Sequence, residues 1–128
     1  MLSAMTDAAS TSPSDRPLHH LAIPADWAAA FDAGSYRMST RGLTLDDVGF
    51  IHCSTREQVE ATANRFYGDV EQLVLLTIDP AAVGAPIRYE PPEPGSDQLF
   101  PHIYGPLPIS AVTDATFWMR GPTGWSLD

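Results

Sequence analysis

The amino-acid sequence predicts one compact α+β domain in which small helices come early and strands dominate the remainder. Helical spacing and helix-end signals occur in the first half of the 128 residues. The second half consists of short extended segments separated by proline and glycine, a pattern typical of strands and turns. The predicted order is β-α-β-α-β-β-β, and a chain of this length supports a single domain.

The two ends of the chain are expected to lie outside this domain. Residues 1–16 are rich in Ser, Thr, Ala and Asp without an apolar period, so we predict a disordered leader. They lack the basic and apolar regions of a signal peptide, and no stretch is apolar enough to cross a membrane. We assign the domain to residues 17–120 and a C-terminal tail to residues 121–128. The single cysteine excludes an internal disulfide and favours a reducing cytoplasm.

The first strand and helix are predicted directly after the leader. Residues 18–23 have the composition of a short strand, which a proline ends. Asp26 is the predicted N-cap of a helix over residues 27–33, and Gly34 is its expected end. Residues 36–48 are less regular, and we expect them to hold one helical turn.

A second strand over residues 49–53 leads into the second predicted helix. Ser54 and Glu57 match a capping box, in which the serine oxygen accepts a backbone N–H of the first turn. Gly68 is the expected end of this helix. Its apolar stripe is predicted to comprise Val59, Thr62 or Ala63, and Phe66.

Four later segments complete the predicted sheet. Residues 72–78 form a nearly continuous apolar run, so we predict a central strand buried on both faces. A short strand at residues 87–90 precedes an acidic loop rich in proline and glycine at residues 91–98. Residues 100–107 contain too much proline and glycine for a regular central strand. Residues 109–119 alternate well enough for a last strand.

The segment Gly49-Phe50-Ile51-His52-Cys53-Ser54-Thr55 is the part of the chain richest in chemistry. In an extended segment, Phe50, His52 and Ser54 face one side, whereas Ile51 and Cys53 face the other. His52 and Cys53 therefore cannot form a dyad, but His52 and Ser54 can share a site.

Three histidines in separate segments are candidates for one ligand cleft: His20, His52 and His102. Each stands beside aromatic or apolar residues, and Tyr104 shares the parity of His102. One interpretation is that imidazoles and hydroxyls converge on a polar ligand. The other is that these are core or rim histidines bonded to the backbone, and we favour the first. We predict no metal site, because the chain lacks His-x₃-His and Cys-x₂-Cys spacing.

Three other side chains each have a functional and a structural interpretation. Cys53 could be a nucleophile with His20 or His102 as its base, but its parity favours a small buried hydrophobe. Ser54 could contact a ligand or cap the following helix, and capping is favoured; both hold if an anionic group sits at that helix end. Glu90 could orient a sugar hydroxyl or stabilise a cationic intermediate, although a solvated strand end is favoured.

The charge balance excludes several kinds of partner. The net charge is −9, with seven arginines and no lysine, which argues against nucleic acids and anionic membrane surfaces. Without lysine, Schiff-base and P-loop chemistry are excluded. The expected partner is therefore a small molecule, and the oligomeric state stays open.

Several strings in the sequence together resemble one bacterial family, domain of unknown function 952. The strings are Leu18-His19-His20-Leu21-Ala22, Gly49-Phe50-Ile51-His52-Cys53-Ser54-Thr55, Ala63-Asn64-Arg65-Phe66-Tyr67, Leu75-Leu76-Thr77-Ile78-Asp79-Pro80, Arg88-Tyr89-Glu90 and Phe100-Pro101-His102-Ile103-Tyr104-Gly105-Pro106-Leu107. The resemblance covers residues 18–113. It implies a fold similar to the ADP-ribosyltransferase superfamily, a split, mostly antiparallel sheet that grips NAD.

The resemblance also implies roles for individual residues. The cleft would bind NAD or another ligand that contains ADP-ribose, without a metal. His20 would take the place of the residue that contacts the nicotinamide-side ribose, His52 would line the same cleft, and Glu90 is a weak match to the catalytic glutamate. The other expected ligand contacts are Ser54, Thr55, Tyr36, His102 and Tyr104.

Three functions remain as hypotheses. The first is an enzyme that performs ADP-ribosyl or glycosyl transfer in this cleft. The second is a non-catalytic module that kept the fold and binds a small nucleotide-like ligand. The third is RNA 2′-phosphotransferase chemistry, which the acidic charge disfavours.

Overall fold

The computed structural model describes residues 16–127, so the predicted leader, apart from Arg16, lies outside the described residues. The elements in chain order are β1 (Leu18–Ala22), α1 (Pro24–Ala33), β2 (Ser35–Tyr36), β3 (Met38–Thr40), β4 (Leu43–Thr44), α2 (Leu45–Val48), β5 (Ile51–His52), α3 (Val59–Phe66), β6 (Gln72–Ile78), β7 (Ile87–Glu90), β8 (Phe100–Ile103), β9 (Leu107–Pro108) and β10 (Val112–Met119), with short 3₁₀ turns at Pro80–Ala82 and Ile109–Ala111. The α+β class is confirmed, and α2 is the predicted helical turn. No helix within this range is long and apolar enough to cross a bilayer.

Two three-stranded antiparallel sheets carry the fold. One has the order β1-β6-β10 and the other β5-β8-β7; β2 pairs with β9 and β3 with β4 in two smaller sheets. A backbone bridge joins the two larger sheets, because the N–H of His19 donates to Ser54 and that of Ser54 to His19, both at 2.8 Å. This bridge brings the residues after β5 beside β1.

The hydrophobic core lies on both faces of the first sheet. Alternate residues of β6 point to opposite faces. On one face, Leu18, Ala22, Val74, Leu76 and Ile78 of the sheet form a cluster with Ala30 of α1. The other face packs with α3 and contains Leu21, Val59, Ala63, Tyr67, Leu73, Trp118 and Trp125. The prediction that residues 72–78 form a central strand buried on both faces is therefore confirmed.

Helix α1 begins earlier than its predicted cap. Ile23 occupies the N-cap position without a side-chain cap, Pro24 is the first helical residue, and Asp26 lies in the first turn. The prediction of Asp26 as N-cap was wrong, because proline has its φ angle preset for the first helical position and lacks the N–H that would need a partner. Gly34 ends the helix as expected, with φ 87° and its N–H donating to Ala30.

The predicted capping box at Ser54 and Glu57 was also wrong. The turn before α3 starts at Thr55, whose carbonyl accepts the N–H groups of Gln58 and Val59 at 3.0 and 3.1 Å. The Gln58 side chain accepts the Thr55 N–H at 3.0 Å. Ser54 is paired with β1 and donates its hydroxyl to Thr62 at 3.3 Å. Because the sheet holds Ser54, the start of the turn shifts by one residue.

The apolar stripe of α3 differs at its C-terminal end. Val59, Thr62 and Ala63 are buried as predicted, but Phe66 is 52% exposed. Tyr67 is buried instead and is the C-cap. The last helical residue is therefore Phe66, two residues before Gly68.

Strand β8 is the central strand of the second sheet despite its proline, contrary to the expectation for residues 100–107. Pro101 lacks only an N–H donor, and its carbonyl still accepts the N–H of Cys53 at 2.9 Å. A strand of four residues tolerates the loss of one donor because its other backbone groups pair with β5 and β7.

The expected C-terminal tail is packed on the domain over residues 121–127. Trp125 is 3% exposed. Its backbone N–H donates to Asn64 at 2.8 Å, and its indole N–H donates to the carbonyl of Tyr67 at 2.8 Å. The indole of Trp118 in turn donates to the carbonyl of Ser126. An apolar anchor and several hydrogen bonds therefore hold a segment whose composition resembles that of a loop.

Candidate functional site

A large open cleft of about 1250 Å³ contains most of the predicted site residues. Its walls come from β1, β3, β8, α3, the residues around β5 and the loop after β7. All four histidines of the chain line it: His19, His20, His52 and His102. The structure thus brings together the three histidines that the sequence analysis grouped, and it adds His19.

Glu90, His102 and His52 form a hydrogen-bonded chain across three neighbouring strands. Nδ1–H of His102 donates to Glu90 Oε1 at 2.8 Å, because an ionised carboxylate can only accept. In the tautomer that carries the His102 proton on Nδ1, Nε2 of His102 is an acceptor, and Nδ1–H of His52 donates to it at 3.2 Å. This leaves a lone pair on Nε2 of His52, which has no protein partner among residues 16–127.

Aromatic rings hold the two imidazoles of this chain in place. Phe50 stacks on His102 with a centroid distance of 3.9 Å and an interplanar angle of 15°. Phe100 lies against His52 with a centroid distance of 5.3 Å. Both phenylalanines line the cleft, so His52 stands in a largely apolar wall.

The protonation states suit a proton acceptor at His52. Burial lowers the pKa of His52 to about 4, with smaller contributions from His102 and His20, so this imidazole is neutral at neutral pH. Hydrogen bonds from Tyr104 and then His102 lower the pKa of Glu90, so its carboxylate is ionised. A proton accepted at Nε2 of His52 can release Nδ1–H to His102, which places the positive charge beside the Glu90 carboxylate.

His20 binds the backbone of His52, and both of its ring nitrogens are already hydrogen-bonded within the protein. Its Nδ1–H donates to the backbone carbonyl of His52 at 2.7 Å. Its Nε2 therefore accepts the hydroxyl of Tyr36 at 2.8 Å. Burial lowers the pKa of His20 to about 4 and raises that of Tyr36. His20 holds the backbone of His52, and the expected ribose contact would require one of these bonds to break.

Three expected ligand contacts are placed differently from the prediction. Tyr36 is 2% exposed and belongs to the core, because β2 buries its ring against α1. Tyr104 is not on the cleft wall; it donates its hydroxyl to Glu90, and Arg88 lies over its ring. Thr55 lines a second, smaller cavity. Ser54 does line the cleft, although its hydroxyl is bonded to Thr62.

The parity prediction for the central segment is confirmed. Phe50, His52 and Ser54 line the cleft, whereas Ile51 and Cys53 are buried in the core. Burial raises the pKa of the Cys53 thiol, which therefore stays protonated. The structure supports Cys53 as a packing residue.

Glu90 is the residue whose favoured interpretation the structure changes most. It was expected to be a solvated strand end, yet one of its oxygens accepts from both His102 and Tyr104. Its side chain is 33% exposed. Register in the sheet explains the difference, because β7 lies directly beside β8.

The C-terminal end of α3 contributes wall residues that the sequence analysis did not assign to the site. Arg65, Phe66 and Tyr67 line the cleft, and so does Glu93 from the loop after β7. Arg65 and Glu93 form an ion pair at 3.5 Å across it. A phenylalanine beside an arginine at the end of the predicted helix was the available signal. Within residues 16–127, no group of three or more His, Cys, Asp or Glu side chains has the geometry of a metal site.

Comparison with known proteins agrees with this architecture. The crystal structure of protein CC0527 from Caulobacter crescentus is similar, with 28% sequence identity, a TM-score of 0.73 and coverage of 85% of this chain and 91% of that one. The solution NMR structure of the same protein gives 28% identity, a TM-score of 0.71 and coverage of 87% and 91%. No curated protein is significantly similar. Residues 21–115 match the family model described as protein of unknown function (DUF952), and the chain therefore belongs to that family.

Proposed function

We propose that the cleft binds a ligand containing ADP-ribose, such as NAD, and that His52 acts as general base in an ADP-ribosyl or glycosyl transfer. The observation that supports this most is the chain from Glu90 through His102 to His52, which ends in an unbonded Nε2. A neutral imidazole in a cleft, oriented by a charged group behind it, is the usual arrangement of a general base.

In the proposed reaction, the lone pair on Nε2 of His52 takes a proton from the acceptor molecule. Nε2 of His52 removes the proton of an acceptor hydroxyl or water as its oxygen forms a bond to the anomeric carbon of the ribose. The bond from that carbon to the nicotinamide nitrogen breaks, and its electron pair neutralises the pyridinium. The proton remains on the histidine pair, where the Glu90 carboxylate stabilises the resulting imidazolium. Glu90 is therefore a positioning residue that acts through His102.

The shape and lining of the cleft support a ligand larger than a simple metabolite. Its volume of about 1250 Å³ exceeds the ordinary range for drug-sized ligands. Phe50, Phe66 and Phe100 place aromatic side chains in the cleft wall, and a flat heterocycle packs favourably against such rings. The two antiparallel sheets joined at the bridge of His19 and Ser54 also support the likeness to the ADP-ribosyltransferase fold.

A binding module without catalysis is the second candidate. The observation in its favour is the low pKa of His52, about 4, which makes this imidazole a weak base. RNA 2′-phosphotransferase chemistry has less support, because Arg65 is the one arginine on the cleft wall of the described chain and Glu93 pairs with it.

The test combines binding and turnover. NAD and ADP-ribose should raise the melting temperature, and the wild type should release nicotinamide from NAD. His52→Ala should reduce release by roughly 10²-fold or more, the usual contribution of a general base, and leave the affinity for ADP-ribose within a few-fold. Asp46→Asn is the control, since this exposed residue pairs with Arg37 and does not line the cleft. Binding without turnover would establish the module instead, and absence of binding by both ligands would reject the cleft assignment.

A further inference from the structure

A second cavity of about 440 Å³ lies beside the paired strands β1 and β6. His19 and Glu57 line both this cavity and the large cleft. The wall of the second cavity also includes Thr77, which faces His19 across the β1–β6 pair. Arg16 comes from the residues before β1, and Arg56 from the turn before α3. Two arginines from distant parts of the chain therefore line one small concave surface.

We propose that this cavity binds a phosphate group, held by Arg16, Arg56 and Thr55, with His19 in its wall. The assignment is separate from the reaction proposed for His52 and stands whether or not the large cleft is catalytic. The ligand chemistry is a tetrahedral oxyanion, supplied either as free phosphate or as the diphosphate of a nucleotide.

Arg16 and Arg56 differ from the other five arginines, each of which has a partner within the protein. Arg37, Arg41 and Arg65 form ion pairs with Asp46, Asp69 and Glu93. Arg88 lies over the ring of Tyr104, and Arg120 donates to the carbonyl of Val70. Within residues 16–127, neither Arg16 nor Arg56 forms an ion pair with a carboxylate or a side-chain hydrogen bond. In a protein of net charge −9, two arginines at one cavity that pair with no carboxylate of residues 16–127 fit an anionic ligand.

His19 provides a second, independent observation. Its side chain is buried, with 7% of the residue exposed. Its Nδ1 has no hydrogen-bond partner in the described part of the chain. Native proteins rarely leave a buried polar nitrogen unpaired. Because His19 lies in the cavity wall, this nitrogen is an available acceptor for the hydroxyl of a hydrogen phosphate.

The chemistry of the wall favours phosphate over a carboxylate. The two guanidinium forks and the Thr55 hydroxyl offer more donors than two carboxylate oxygens can accept, whereas a phosphate presents three or four oxygens. The hydroxyl of Thr55 makes no hydrogen bond within residues 16–127, since the bond to Gln58 uses its backbone N–H. Glu57 opposes the two arginines with one charge, which leaves a local excess of positive charge.

The test measures binding of inorganic phosphate and of ADP-ribose by isothermal titration calorimetry. Arg16→Gln and Arg56→Gln each remove one guanidinium from an exposed position, and melting temperatures verify the fold. Each variant should raise the dissociation constant about tenfold or more, the scale of a lost charge-assisted hydrogen bond. Arg37→Gln is the matched control, because it removes the same charge from an exposed ion pair elsewhere. The control should bind phosphate as the wild type does.

The two ligands distinguish the sources of the anion. Binding of inorganic phosphate that depends on Arg56 supports the site and shows that free phosphate suffices. Binding of ADP-ribose alone, again dependent on Arg56, supports the site and assigns it to the diphosphate of a nucleotide. If neither ligand binds, or if Arg56→Gln binds both like the wild type, the phosphate site is rejected. A failure of the His52 reaction would instead appear as unchanged nicotinamide release in His52→Ala.

Discussion

Nδ1 of His52 lies 3.2 Å from Nε2 of His102, although fifty residues separate them in the chain. The antiparallel register places the two residues opposite each other in β5 and β8, so both side chains stand on the same face. Strand β7 lies on the other side of β8, and Glu90 comes from its last position. The hydrogen-bonded chain is therefore built on three paired strands, which hold side chains more rigidly than a loop would.

The first prediction concerns the negative charge of Glu90, at one end of the hydrogen-bonded series from Glu90 through His102 to His52. Glu90→Gln should lower the rate of nicotinamide release by roughly 10²-fold and change the affinity for ADP-ribose only slightly, because an amide cannot stabilise an imidazolium at His102. Steady-state kinetics with NAD provide the measurement. Histidine ¹⁵N NMR provides a second readout, in which the Nδ1–H signal of His102 should move.

Glu93→Gln is the control for that experiment. Glu93 lines the same cleft, but it pairs with Arg65 and does not contact a histidine. Equal loss of activity in both variants would mean that the charge of the cleft matters and the hydrogen-bonded chain does not.

The second prediction concerns the loss of folding stability at acidic pH. The pKa of His20 and that of His52 are each lowered to about 4 in the folded protein, from 6.5. Between those values the unfolded chain binds more protons than the folded one, so stability is complete above pH 6.5 and falls as the pH drops towards 4. His20 is 3% exposed, and its share over this window is about 3 kcal/mol, with less from the more exposed His52.

Urea unfolding at pH 7, 6, 5 and 4.5 provides the measurement. His20→Gln, which cannot titrate, should be less stable at pH 7 because a buried hydrogen-bond network is disturbed, and its stability should depend less on pH. A His20→Gln protein with the full wild-type slope would show that His20 does not carry the effect.

The sequence predicted those parts of the site that depend on local periodicity. Alternation along an extended chain needs no tertiary information, and it correctly separated His52 from Cys53. The direct contact between His52 and His102 depends on strand register, which one sequence does not reveal. The prediction that Glu90 is a solvated strand end failed for the same reason, because its partner His102 comes from the neighbouring strand.

Tertiary pairing also explains the errors at helix and strand ends. The pattern around Ser54 satisfied a capping rule, but its backbone was already committed to His19. The composition around Pro101 argues against a central strand. The segment is one nevertheless, because β5 and β7 pair with its remaining backbone groups. In each case the sheet outweighed a local preference.

The third prediction distinguishes the observed helix start from the expected one. Gln58→Ala should reduce the free energy of unfolding by about 1–2 kcal/mol, because it removes the bond to the Thr55 N–H and the bond to the carbonyl of Leu99. Glu57→Ala, at the position favoured by the sequence pattern, should change it by less than about 0.5 kcal/mol. Urea denaturation measures both, and the reverse order would restore the capping box at Ser54.

The last prediction concerns the C-terminal segment. Trp125→Ala should reduce the free energy of unfolding by about 3–5 kcal/mol, the usual cost of removing a large buried aromatic side chain. The change deletes an edge-to-face contact with Trp118, at a centroid distance of 5.0 Å, and a hydrogen bond to the carbonyl of Tyr67. Phe117→Ala is the control, because that ring is 67% exposed on the neighbouring strand, and its effect should stay below about 0.5 kcal/mol. Similar small effects in both variants would mean that the last residues behave as a tail in solution. A large loss at Trp125 alone would establish that they complete the core on the α3 face, and removal of residues 121–128 should then destabilise the domain at least as much.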